Sequence, residues 1–144
     1  NICQDEEKMS AIIANYNLVM KDAANPATSS ASTNLNGDRF SAIMPVERGF
    51  MGSIVAVNVA GPVGNWVLEG SNDFGVGDDK SLDRINSENL ITNWGVISTT
   101  ALGATETSKI ISVADIGCRW LRLKFDHSSG TGNITDIRAN FKGY

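Results

Sequence analysis

Cys118-Arg119-Trp120-Leu121-Arg122-Leu123-Lys124-Phe125-Asp126 is the stretch from which the fold can be read. Leu121, Leu123 and Phe125 fall on one face of an extended chain, and Trp120, Arg122, Lys124 and Asp126 fall on the other. A period of two is the signature of a strand with one face in a core and the other in water. His127-Ser128-Ser129-Gly130-Thr131-Gly132 follows, rich in residues that bend the chain or tolerate positive φ. A second alternating run sets Thr135, Ile137, Ala139 and Phe141 on one side and Asp136, Arg138, Asn140 and Lys142 on the other. Two such runs joined by a short Gly-containing loop predict an antiparallel hairpin.

Outward from that stretch the same pattern recurs. Residues 94–100 and 109–113 read as strands around a polar turn at Gly103-Ala104-Thr105-Glu106. Between 65 and 71, Trp66, Leu68 and Gly70 share one face and Val67 and Glu69 the other. Between 50 and 60, Val55, Val57 and Val59 oppose Ile54, Ala56 and Asn58, and Gly61-Pro62 ends the run. A short apolar run at 40–44 stops at Pro45, and Ile12, Ala14, Tyr16, Leu18 and Met20 alternate in a first strand. The expectation is an all-β chain: a single antiparallel β-sandwich or jelly roll of roughly eight strands. Residues 1–39 read as a flexible N-terminal arm plus the first strand, and residues 40–144 as the sandwich core, one domain overall. Acidic residues at 5–7 and the small-residue stretch 25–32 account for the arm.

A chain of 144 residues with 42% hydrophobic and 19% charged residues can bury one core. Its net charge of -4 argues against nucleic acid, which requires a basic footprint. No apolar run is long enough to span a membrane as a helix. The chain starts at Asn1 without a signal sequence, and reads as a processed form or a stretch from inside a longer product. Cys3 and Cys118 permit one disulfide at most, and Cys118 reads as a small buried thiol.

The order of Trp66-Val67-Leu68-Glu69-Gly70-Ser71-Asn72-Asp73, Asn93-Trp94, Arg119-Trp120-Leu121-Arg122-Leu123, Ser129-Gly130-Thr131-Gly132-Asn133-Ile134 and Lys142-Gly143 resembles one protein family. It is similar to the small β-sandwich proteins of bacteriophage structural gene clusters, and more distantly to discoidin-like, galactose-binding-type jelly rolls. The resemblance spans residues 40–143. It departs from the family's pattern where residues 74–92 separate the Ser-Asn-Asp from the Asn-Trp, as an insertion in a surface loop would. What the resemblance implies is a virion component, either a capsid decoration or a tail-associated subunit. Its partners would be other copies of itself and other virion proteins, and its location the virion.

Candidate sites are few. Asp73, Asp78, Asp79 and Asp83 in the inserted loop could offer oxygen ligands to calcium, but their spacing is not that of an EF-hand. A solvated loop available for contacts is the plainer reading, and no cofactor is expected. His127, the one histidine, reads as a turn residue, without an oriented nucleophile. Trp66 reads as core. Trp120, sharing its face with Arg122 and Lys124, reads as a contact or glycan surface, since an indole face stacks on a sugar ring. Arg119, Arg122 and Arg138 could line that same face. With no nucleophile elbow, metal triad or phosphate loop, the expected function is non-enzymatic; the resemblance implies a virion structural protein acting through protein contacts, as a homo-oligomer. The alternative is a carbohydrate-binding module for attachment to a host surface glycan.

Overall fold

The computed structural model describes residues 12–21, 32–46, 49–72, 91, 93–114 and 116–143. These hold ten strands and no helix: β1 (Ile12–Asn17), β2 (Met20–Lys21), β3 (Arg39–Ser41), β4 (Met44–Pro45), β5 (Gly49–Asn58), β6 (Val63–Ser71), β7 (Gly95–Leu102), β8 (Ser108–Ala114), β9 (Trp120–Ser129) and β10 (Ile134–Gly143). One sheet has the order β1-β10-β5-β8; the other runs β2-β3-β9-β6-β7, with β4 also paired to β9. Every pairing is antiparallel. The two sheets enclose one core, so the all-β sandwich expected from the alternation is what the chain forms, with two very short strands beyond the eight or so foreseen.

The alternation decides which side chains enter that core. Leu121, Leu123 and Phe125 of β9 are fully buried, as are Ile137, Ala139 and Phe141 of β10. Trp66 on β6 lies directly across the ladder from Phe125, their ring centroids 4.9 Å apart at 56°. Tilted aromatic pairs of this kind add roughly 0.5–1.5 kcal/mol to what burial of their area supplies. On β5 the buried side is Ile54, Ala56 and Asn58, and the valine side faces outward.

Strands β9 and β10 are not a hairpin. They belong to opposite sheets, and residues 130–133 carry the chain across the core from one to the other. The same is true of β5 and β6, joined through Gly61-Pro62. A period of two marks an apolar face, and that face is satisfied equally by a neighbour in the same sheet or by a sheet opposite. Here the apolar faces of β9 and β10 look at one another.

The two crossings meet at one end of the sandwich. Gly61 has φ 136° and Gly130 has φ 76°, the left-handed region that glycine enters without a steric penalty. A Cβ on Gly130 would stand 2.1 Å from the Gly61 carbonyl oxygen, and one on Gly61 would stand 2.2 Å from that of Thr131. The backbones are therefore in contact. The segment ahead of β3 closes over them: Leu35 N–H donates to the Gly132 carbonyl at 2.8 Å, and Ile134 N–H donates to that of Thr33 at 2.5 Å. Leu35 itself is fully buried.

The boundary drawn at residue 40 is corrected by this arrangement. Strand β1 is an edge of the first sheet, and Leu18, Met20 and Leu35 are members of the single core. The described part of residues 1–39 is thus built into the sandwich, because its alternating apolar residues fill space between the sheets. Residues 1–11 and 22–31, where a flexible arm was expected, lie outside the described residues. Ser41 shows how the irregular strand β3 is held: its buried hydroxyl accepts from Leu123 N–H at 2.8 Å and donates to the Ala42 carbonyl at 2.9 Å.

Gly130→Ala combines a strained φ with a clash against backbone, and should lower unfolding free energy by more than about 1 kcal/mol in urea titrations. Gly95→Ala, with nothing within 4 Å of the new methyl group, should stay within about 0.5 kcal/mol of the parent. Equal effects from the two would refute the crossing contact as a constraint.

Candidate functional site

The outer face of the second sheet collects the side chains most capable of binding. Register sets them in rows. Lys21 lies opposite Phe40, Phe40 opposite Lys124, and Lys124 opposite Val67; the next row places Arg122 against Glu69 and Glu69 against Val96. Arg122 Nε donates to Glu69 Oε1 at 2.7 Å. Its guanidinium carbon stands 4.3 Å from the Trp94 ring centroid and 5.2 Å from that of Phe40. Lys124 Nζ is 5.5 Å from the Phe40 centroid. Trp94, just ahead of β7, is fixed by its Nε1–H, which donates to the Ile91 carbonyl at 3.0 Å.

Arg122 thus has an acid at its end and aromatic rings against its plane. Its side chain and that of Glu69 are only 12% and 13% exposed. Cation–π contacts range from roughly 0.5 kcal/mol in water to about 2 kcal/mol when desolvated, and this one lies toward the sheltered end. A planar cation so held is a rigid part of the surface. Phe40, Trp94 and Lys124 around it are half-buried, so each keeps part of its surface open to solvent. The arrangement can stack on an apolar ring and attract a negative group, but it contains no oriented acid–base pair.

Arg122 and Lys124 are therefore brought together as expected, while Trp120 is corrected. It follows the outward parity of β9 but is only 3% exposed, so it is no open platform. It begins its strand between Pro45 of β4 and Ser71 of β6 in the ladder. Parity fixes the direction of a side chain and says nothing about what else lies on that face. Ile91, at 4% exposure, is also buried outside the main core cluster. Among the described residues, the aromatic ones that remain partly accessible on this face are Phe40 and Trp94.

The three arginines do not line one face: Arg122 belongs to the second sheet, while Arg138, on β10 of the first, pairs with Asp136 at 3.0 Å. His127, expected in a turn, lies within β9 opposite Gly64; its Nε2–H donates to the Gly130 carbonyl at 2.8 Å and its N–H to Asp38 Oδ1 at 2.9 Å. Asp73, Asp78, Asp79 and Asp83 lie outside the described residues, so the inserted loop and its calcium reading do too. Among the described residues no group of three His, Cys, Asp or Glu side chains is placed to hold a metal ion. Cys118 is half-buried, and burial pushes its thiol pKa up; Cys3 is outside the described residues.

Glu69 and Phe40 were not singled out by the sequence. Glu69 had the right outward parity on β6, but its pairing with Arg122, 53 residues away, requires knowing that β6 and β9 are neighbours. Val55, with Ile110 opposite, is a second feature of this kind on the first sheet.

No protein-family model matches the chain, and no curated protein matches it. No helix among the described residues is long and apolar enough to cross a membrane.

Glu69→Ala leaves the sheltered guanidinium without its acid and should cost about 1–3 kcal/mol of stability in urea titrations. Replacing both partners by methionine should recover most of that loss, because no charge is left behind. The raised Cys118 thiol should react with a disulfide reagent at pH 8 more slowly than a free cysteine does, and reach the free rate on unfolding.

Proposed function

We propose that this chain is a non-enzymatic structural subunit working through protein–protein contacts, as a capsid decoration or tail-associated component of a bacteriophage particle. The observation that carries the contact role is apolar surface left in water on the first sheet. Val55 and Ile110 lie directly opposite one another on its outer face, 38% and 65% exposed, with Met51 at 40% farther along β5. Single exposed apolar residues are ordinary, whereas neighbouring ones on one sheet face add up to an apolar patch of the kind that protein contacts cover. The same face holds a shallow depression of about 550 Å³ lined by Met51, Ser53, Ser112, Ala114, Asn140 and Lys142. The resemblance to phage sandwich proteins supports the particle as the setting, and copies of itself and other virion proteins as partners.

The second reading, a carbohydrate-binding module for a host surface glycan, is favoured by the half-buried rings of Phe40 and Trp94 beside Lys124 on the opposite sheet. In that reading Trp94 takes the stacking role first given to Trp120.

Mass spectrometry of gradient-purified particles from the cells encoding the chain tests the first reading. Its peptides should band with the particles; peptides confined to the soluble lysate overturn the structural role. A glycan that quenches tryptophan fluorescence in the parent and not in Trp94→Ala would establish the second.

A further inference from the structure

We propose that the free edge of β7 is where a second copy of this chain adds, strand to strand and antiparallel, so that the second sheet continues across a two-fold axis. The inference rests on the reading above only in that the chain works by protein contact; it names the partner and the place.

Among the described residues β7 is an edge strand, bonded to β6 alone. Its other side presents a row of backbone N–H and C=O groups with no partner among the described residues. Proteins guard such edges with charge, proline or very short strands. From Gly95 to Leu102 there is no charged residue and no proline. Val96 and Ile97 are moreover 64% and 48% exposed. The other three edges differ: β2 is two residues long and ends in Lys21, β8 carries Lys109, and β1 is shorter and shifts register between Ile12 and Ala14. Among the four, β7 is the longest edge without a guard.

A second copy fits this strand for two reasons. An uncharged strand offers nothing for a charged partner to complement, whereas self-pairing sets no like charges opposite each other. The register is also self-consistent. The shift in the β6 ladder between Leu68 and Glu69 makes Ile97 an extra residue, and leaves 98–102 as the regular run. An antiparallel pairing centred on Thr100 sets Thr99 against Ala101 of the copy and Ser98 against Leu102. Thr99 and Ala101 share the outer face, and Ser98 and Leu102 the inner one, so each opposed pair keeps its side. Beyond the run, Ile97 and Val96 come opposite Gly103 and Ala104 of the copy, the small residues of the β7–β8 turn.

Light scattering of the full chain after size exclusion, over about a hundredfold range of concentration, tests this. The parent should approach twice the mass of one chain. Thr99 and Ala101 are both exposed, so charge there spares the fold. The double variant Thr99→Lys/Ala101→Lys opposes lysine to lysine across the axis, and should raise the concentration needed for dimerisation at least tenfold. Thr99→Lys/Ala101→Glu opposes lysine to glutamate and should restore it. Thermal melts at low concentration verify that each variant folds. A parent that stays monomeric throughout, or a Lys/Lys variant that dimerises like the parent, overturns the β7 contact. So does a dimer lost only in Val55→Lys, which moves the interface to the first sheet. Particle association is read separately: a chain that bands with particles yet stays monomeric alone removes the β7 contact and leaves the structural role standing.

Discussion

Joining two sheets into a sandwich forces chain to cross from one to the other, and crossing chain forfeits the ladder that satisfies its backbone. Here the crossings after β5 and after β9 lean on each other at one end, with Gly61 and Gly130 in contact through their main chains. A Cβ at either position would push the crossings apart. Pro62 and Gly132 lie in the same contact. The polar groups freed there are met by the segment at 33–38, whose backbone and side chains bond to Gly132, Ile134 and His127. Leu35, seated beneath, closes that end of the core. The separation of the sheets, and with it the packing of Trp66 on Phe125, depends on this narrow junction.

Most of the strands were legible because burial on one face writes itself as alternation. That was clearest in 121–125 and 137–141, where Leu121, Leu123 and Phe125, and Ile137, Ala139 and Phe141, recur at every second position. Which strand lies beside which was not legible from the same signal. The runs containing Phe125 and Phe141 look like the arms of a hairpin, yet their apolar faces oppose each other across the core. Loop length does not separate the cases, since a few residues suffice for either path. Nor did the composition of the first 39 residues show that Leu18, Met20 and Leu35 belong to the core, because short strands and lone buried residues leave little periodic trace.

The candidate surface was legible one residue at a time. Arg122 and Lys124 could be assigned outward from β9 alone. Their setting needed long-range pairing: Glu69 comes from β6, Phe40 from β3 and Trp94 from the approach to β7. Trp120 shows the opposite limit. Its parity was read correctly and its accessibility was not, since burial on an outer face depends on neighbours that alternation does not record. The valine side of β5 was equally plain as a row, and only the sheet partners show that this row, not the Ile54 side, faces water.

The pairing of β1 with β10 has a consequence for how the chain comes into being. These are the first and last of the described strands, and the second of them sits between β1 and β5. On the ribosome β10 emerges after all nine others, so β1 has no neighbour in its sheet, and β5 has only β8, until synthesis has passed residue 143. Until then the first sheet lacks an inner strand, and the core lacks Ile137, Ala139 and Phe141. Contacts that span so much of the chain make folding slow as well as late. Such a molecule spends its nascent life with strand edges open, and it is then, rather than when folded, that it would most need protection from its neighbours.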